Sequence, residues 1–185
     1  MTSEMTPFER IEAAYRMEVT DRVPVTPIIC YMIPYLAGMT VKEMFSEPEK
    51  HVQAFLDFQE KLSRVAPINR PILLIGERGA GKDLAAKRLH FLSKRWEQPF
   101  VTLHCAALSP TLIESELFGH EQGAFTGASR RRIGRFESAN TGTLFLDELS
   151  LIPLQTQEKI LRVVEYGVFE RVGGGDPVQV DVRII

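Results

Sequence analysis

Cysteine and tryptophan are scarce in this chain, at 2 and 1 of 185 residues. Cys30 and Cys105 are too few and too unpatterned for a disulfide framework or a zinc site, so a reducing cytoplasm is the expected compartment. Positive charge is not in excess either. With 22 Lys and Arg against 24 Asp and Glu, the net charge is −2, which supplies no general attraction to nucleic acid and excludes a DNA-binding module built on bulk charge. The one local basic cluster, Arg130-Arg131-Arg132, has the composition of a solvated loop. Long hydrophobic runs are missing as well. The most apolar early stretch, Val23 to Met39, is broken by Pro24, Pro27, Pro34 and Gly38 and is too short to span a bilayer. Glu4, Glu9, Arg10 and Glu12 interrupt the start, which argues against a secretory leader. There is no internal repeat and no low-complexity tract. What is present, 44% hydrophobic and 25% charged residues, is the composition of a globular domain with one core and room for an appendage.

An apolar run, Pro71-Ile-Leu-Leu-Ile75, leads into Gly76-Glu-Arg-Gly79-Ala-Gly81-Lys82-Asp83-Leu84. The spacing Gly76-x4-Gly81-Lys82 is that of a phosphate-cradling loop opening a helix. Glycine lets the backbone take positive φ and brings several N–H groups onto one polyphosphate, where a Cβ would collide. Lys82 adds a point charge for the terminal phosphates, and the helix beginning there adds its positive end. The candidate nucleotide-binding residues are therefore Gly76, Glu77, Arg78, Gly79, Ala80, Gly81, Lys82, Asp83 and Leu84. The competing reading is a glycine-rich turn that binds nothing.

The residue after the lysine is usually Ser or Thr, whose hydroxyl ligates Mg²⁺; here it is Asp83, a carboxylate able to reach the ion directly or through water. A second carboxylate source ends the buried-looking run Thr143-Leu-Phe-Leu-Asp147-Glu148, which has the form of a Walker B element. In that reading Asp147 holds the Mg²⁺ hydration shell, Asp83 is a further candidate for the ion, and Glu148 polarises the attacking water. The plainer alternative is an acidic helix start after a core strand.

Several elements are legible in the pattern. Thr6-Pro-Phe-Glu9 is a capping box with proline at the first helical position, predicting a helix that fades near Glu18. Val23-Pro-Val-Thr-Pro-Ile-Ile29 reads as a short edge strand. Thr40-x-x-Glu43 and Ser46-x-x-Glu49 are further capping boxes, the second opening a helix with Val52, Phe55, Leu56, Phe58 and Leu62 on one broad face. From Pro71 onward strands at Ile72–Ile75, Phe100–Leu103, Thr143–Leu146 and Val178–Ile185 alternate with helices, which implies a parallel sheet covered on both faces.

Between the second and third of these strands lies Glu116-Leu-Phe-Gly-His-Glu-Gln-Gly123-Ala124-Phe125-Thr126-Gly127-Ala128. One aromatic among small residues suits either a mobile contact surface or a surface turn with Phe125 folded back. The hexapeptide Gly123–Ala128 resembles the signature of the sigma-54 activator class of AAA+ ATPases. The likeness extends over Glu-Ser-Glu-Leu-Phe-Gly-His-Glu, Gly-Arg-Phe-Glu and Gly-Thr-Leu-Phe-Leu-Asp-Glu, covers roughly Ala54 to Ile185, and is strongest toward the phage-shock-protein activator subgroup.

The resemblance implies ATP and Mg²⁺ as cofactors, a hexameric ring, and contact of Gly123–Ala128 with sigma-54 of RNA polymerase, driven by hydrolysis. It also implies a role for His104, which stands where the class usually has an Asn that holds the Walker B glutamate. Imidazole would then bond Glu148; the alternative is a solvated strand end. Phe169 to Val180 resembles a second, hairpin-like loop flanking the first. After Ile185 the class continues into a sensor residue, trans-acting arginines and a helical lid, so the resemblance is to an incomplete domain with weak turnover. Residues 1 to about 53 resemble instead the opening of uroporphyrinogen-decarboxylase-like barrels, including corrinoid-dependent methyltransferases, through Thr6-Pro-Phe-Glu-Arg, Asp21-Arg-Val-Pro-Val and Tyr35-Leu-Ala-Gly38. The expectation is an α/β chain of two parts, residues 1–53 as a barrel-like fragment and residues 54–185 as a P-loop AAA+ parallel sheet flanked by helices. The alternatives are a metabolic barrel enzyme represented by its leader, and a sigma-54-binding module without turnover.

Overall fold

Alternation along Thr143-Leu-Phe-Leu-Asp147 sets the layering, because successive side chains of a strand point to opposite faces. Leu144 and Leu146 enter one buried cluster with Leu103, Ile113, Leu117, Phe136, Ile160 and Val163, whereas Phe145 enters another with Leu62, Ala66, Ala86, Leu89 and Ile185. A strand that is apolar on both faces needs helices on both sides, and it has them.

The computed structural model describes residues 48–76 and 79–185. The predicted elements at Thr6–Glu18 and Val23–Ile29 and the capping residues Thr40 and Ser46 lie outside the described residues, as do Glu77 and Arg78 of the loop. In chain order the elements are α1 (Pro48–Val65), α2 (Lys82–Phe91), β1 (Phe100–His104), α3 (Pro110–Phe118), β2 (Gly119–His120), β3 (Arg132–Ile133), α4 (Arg135–Ser138), β4 (Thr143–Asp147), α5 (Leu154–Tyr166), β5 (Val168–Glu170), β6 (Pro177–Gln179) and β7 (Arg183–Ile184).

The central sheet is parallel with order β1-β4-β7. Helices α1 and α2 cover the Phe145 face, and α3, α4 and α5 cover the other. Val52 and Leu62 of α1 are buried as its apolar face predicts, but Leu56 is exposed. The C-terminal end of α1 is held by a buried arginine. Arg183 Nη1 donates to Ala66 O at 2.7 Å and Nε to Arg70 O at 3.3 Å, placing a cation where the helix dipole is negative.

Two predicted strands change form. Ile72 N–H donates to Ile184 O at 3.0 Å, so Ile72–Ile75 begins beside β7, but no strand forms there. β7 is only two residues long, and Leu73 and Ile75, 70% and 81% exposed, have no covering layer among the described residues. Val178–Ile185 is not one strand but two. Its first part is β6, which pairs antiparallel with β5 around Gly173-Gly-Gly175, while β7 joins the central sheet. The hairpin implied at Phe169–Val180 is therefore present. A second ribbon, β2 with β3, brackets the Gly123–Ala128 loop. Beneath both ribbons Phe118, Phe136 and Phe169 pack together, with Phe118 and Phe136 stacked at 5.4 Å between ring centroids.

Candidate functional site

At the N-terminus of α2 the glycine spacing has its structural consequence. Gly79 and Gly81 take φ of 79° and 74°, left-handed values that L side chains rarely adopt. Gly81 caps the helix, its carbonyl accepting from the amides of Leu84 and Ala85. First-turn amides ahead of these have no partner within a helix and present a positive end to an anion. Lys82 lies against the same loop, with Nζ 3.1 Å from Gly76 O.

Parallel pairing brings the acidic residues to this point. The register of β1 on β4 matches Phe100 with Thr143 and ends by matching His104 with Asp147. Both residues therefore stand at the carboxyl ends of neighbouring strands, the edge of an open α/β sheet where ligands bind. A cavity of about 480 Å³ opens there, lined by Gly79, Gly81, Lys82, Asp83, His104, Ala106, Ala107, Asp147 and Glu148. Glu148 turns the chain out of β4 with φ 58° and ψ 49°, a left-handed conformation that costs a non-glycine residue energy. Sequence reasoning thus named most of the lining, and the fold collects it. Gly76, Ala80 and Leu84 belong to the same loop and first helical turn but are not part of the lining. Ala106 and Ala107, on the 3₁₀ turn after β1, were not singled out; their small size leaves the cavity open.

One expected contact takes a different partner. The family resemblance implies a hydrogen bond from His104 to Glu148, with a solvated strand end as the alternative, but Nδ1 of His104 lies 3.2 Å from Asp147 Oδ2. Cross-strand register decides this, since His104 and Asp147 are direct neighbours and Glu148 has already left the strand. Cys105, the next residue, is buried, and burial together with the charges of Asp147 and Glu148 pushes its thiol up to about 11.

The Gly123–Ala128 loop is folded back on itself. Gly123 N–H donates to Ala128 O at 2.9 Å and Ala128 N–H to Phe125 O at 2.9 Å. Phe125 is neither buried nor fully extended: it is 41% exposed and rests edge-on against the His120 ring at 4.9 Å. His120 is buried and shares a 2.7 Å hydrogen bond with Ser115 Oγ. The two ribbons touch, since Val172 N–H donates to Gly119 O and Glu121 N–H to Val172 O, both at 3.0 Å. Arg171, which no local pattern distinguished, ties them further by bonding Glu121 and Glu137. Of the basic run, Arg131 and Arg132 are not simply solvated: they pair with Glu121 and Glu116.

Among the described residues no helix is long and apolar enough to cross a membrane. Residues 49–185 match the Sigma-54 interaction domain family. The Psp operon transcriptional activator of Escherichia coli (strain K12) is 60% identical over 132 residues, 71% of this chain and 41% of that protein. The Nif-specific regulatory protein of Azotobacter vinelandii is 56% identical over 126 residues, 68% of this chain and 24% of that protein. Among solved structures, NtrX from Brucella abortus superposes with a TM-score of 0.66 at 44% identity, covering 71% of this chain and 29% of that one. A complex of NtrX with ATP does so at 0.65, 44% identity, 71% and 28%. The chain thus spans less than half the length of these relatives. The family match begins at residue 49, within α1 rather than at Ala54, and lends no support to the barrel resemblance of the residues before it. By its match over residues 49–185, the chain belongs to the Sigma-54 interaction domain family.

Proposed function

We propose that this chain is the nucleotide-binding, sigma-54-contacting part of a cytoplasmic transcriptional activator that works with ATP and Mg²⁺. The observation that carries the proposal is the convergence of Lys82, the α2 N-terminus, Asp147 and Glu148 on one open cavity. The donor set suits such a ligand: amides and an ammonium for phosphate oxygens, carboxylates for a hard divalent cation. Bound ATP with Mg²⁺ would supply the γ-phosphoryl group and the charge-neutralising ion. Gly76, Gly79, Ala80, Gly81, Lys82, Asp83 and Leu84 then hold and orient phosphate, together with Glu77 and Arg78 of the same loop. Asp147, with Asp83 beside it, would hold the ion, and Glu148 would accept a hydrogen bond from the attacking water. The ATP complex of NtrX supports the choice of adenine nucleotide.

Gly123, Ala124, Phe125, Thr126, Gly127 and Ala128 form the sigma-54 contact. Phe125 is a half-exposed aromatic on a tight turn, the kind of group that supplies an interface hot spot, and the activator names of the relatives support this partner. Among the described residues lining the cavity Lys82 is the one permanent cation, so turnover is slow unless a neighbouring subunit of a hexameric ring contributes an arginine, which is worth about 10³–10⁵ in rate in related chemistry. We also propose residues 54–185 as the functional domain and residues 1–53 as a separate fragment of barrel origin, without a share in the nucleotide chemistry.

The test measures binding of a fluorescent ATP analogue and phosphate release. Lys82→Ala is expected to abolish binding, and Glu148→Gln to keep binding but lose turnover. Unchanged binding by Lys82→Ala would overturn the nucleotide site. For the loop, Phe125→Ala and Thr126→Ala are expected to remove capture of sigma-54 in the presence of ADP and aluminium fluoride; a complex that survives both rejects the contact.

A further inference from the structure

We propose that His104 is a positioning residue for the divalent ion: it holds the Asp147 carboxylate in the orientation that receives the ion when nucleotide binds. The inference rests on the assignment of Asp147 to the ion and names a partner for it. Nδ1 of His104 lies 3.2 Å from Asp147 Oδ2. A carboxylate has no hydrogen to give, so Nδ1 carries the proton and donates. One carboxylate oxygen is thereby engaged, and the other remains for the ion or its water. The pair is placed by backbone register, because His104 and Asp147 close the β1–β4 ladder as direct neighbours.

Two further observations give the contact its purpose. Among the described residues no group of three or more metal-binding side chains assembles, and Mg²⁺ is generally held through one or two carboxylates beside substrate phosphate and several waters, so the orientation of the Asp147 carboxylate bears directly on affinity. Such a carboxylate needs its rotamer held, and the outer-shell partners that hold metal ligands are commonly worth 10- to 100-fold in affinity. The imidazole is 62% exposed and lines the cavity. It therefore contributes little packing, and its removal is not expected to compromise folding. Asparagine offers a stringent comparison, because its Nδ2 is as many bonds from Cα as Nδ1 of histidine and can make the same donated bond.

The experiment uses the full chain mixed with equimolar ADP. Mn²⁺ binding is read from the electron paramagnetic resonance signal of free ion, against an ADP-only blank; ADP binding in EDTA is measured separately. His104→Ala is expected to weaken Mn²⁺ binding about 10- to 100-fold with ADP affinity in EDTA unchanged, and His104→Asn to restore it. Full Mn²⁺ affinity in His104→Ala, where Asp147→Asn loses it, overturns the inference and leaves the ion site standing. Equal loss of ADP affinity in EDTA also overturns it, since His104 would then act on nucleotide rather than on the carboxylate. Undiminished Mn²⁺ binding in Asp147→Asn removes the ion assignment itself.

Discussion

Arg171 grips Glu137 with two parallel hydrogen bonds, Nε to Oε1 at 2.9 Å and Nη2 to Oε2 at 2.6 Å. Its remaining nitrogen, Nη1, reaches Glu121 at 3.1 Å. One guanidinium from the end of β5 thus joins α4 to the segment that leads into Gly123–Ala128, and little of the Arg171–Glu137 pair is exposed. Arg171→Ala leaves the Glu137 carboxylate without its bidentate partner, while Glu121 keeps Arg131, and is expected to cost about 3 kcal/mol, measured by urea denaturation; a loss within error would show that water replaces the guanidinium.

The same pair and His90 set the acid side of stability. Hydrogen bonds from Arg171 hold the Glu137 carboxyl below its ordinary value of 4.5. The folded state therefore favours the ionised form, and this contribution, present above pH 4.5, is lost as pH falls through the lowered value. Burial lowers His90 from 6.5, where its Nδ1 meets Thr143 Oγ1 at 3.0 Å. Folding again binds fewer protons than unfolding, so stability begins to fall below about pH 6.5. Thermal unfolding from pH 8 to 3 is expected to fall in two stages, the upper removed in His90→Gln and the lower in Glu137→Gln. A single stage unaffected by either substitution contradicts both assignments.

Gly173 lies where the hairpin meets the Gly123–Ala128 loop. It has φ of 73°, and a Cβ there would stand 2.5 Å from the Ala124 side chain, whereas a Cβ on Gly175 would meet nothing within 4 Å. Gly173→Ala should therefore destabilise by about 1–3 kcal/mol and make the Gly123–Ala128 loop more accessible to protease, while Gly175→Ala is close to neutral. Equal effects would show that the two loops do not bear on each other.

Glu148 pays a backbone cost for its place at the end of β4. Replacing it by glycine relieves about 1–2 kcal/mol of left-handed strain and gives back part of it to chain entropy, so the glycine variant is expected to be the most stable of the side-chain deletions at this position. Glu148→Val, β-branched, should lose stability instead. Differential scanning calorimetry of the two variants checks the order; a valine variant as stable as the glycine one would mean that no strain is stored there.

Cys105 should resist alkylation. In a Cys30→Ser background, labelling by iodoacetamide is expected to stay slow through pH 9 and to rise only toward pH 11, following the raised thiol. Rapid labelling at pH 8 in the native protein would place the thiol outside the core.

Local chemistry was legible where the physics is local. Gly79 and Gly81 announced a tight turn into α2 because positive φ is a property of single residues, and the apolar run into Asp147 announced a strand because burial on both faces needs continuous hydrophobicity. Phe125 remained undecided between contact and core, and the structure divides the difference by laying its ring on His120 while leaving it 41% exposed. The division of Val178–Ile185 was not legible. A β-rich run carries no mark of which of its residues will pair with β5 and which with β4.

The sequence alone determined the glycine-rich turn that opens α2, the strand that ends in two carboxylates, and the glycine-bounded loop Gly123–Ala128, since each rests on spacing within a few residues. The tertiary structure decided which groups meet. His104 finds Asp147 across 43 residues through the parallel register of β1 and β4, and Arg171 finds Glu137 across 34 through the packing of Phe118, Phe136 and Phe169. Register between parallel strands is set by helices packing on both faces of the sheet, and no short stretch of chain contains that information.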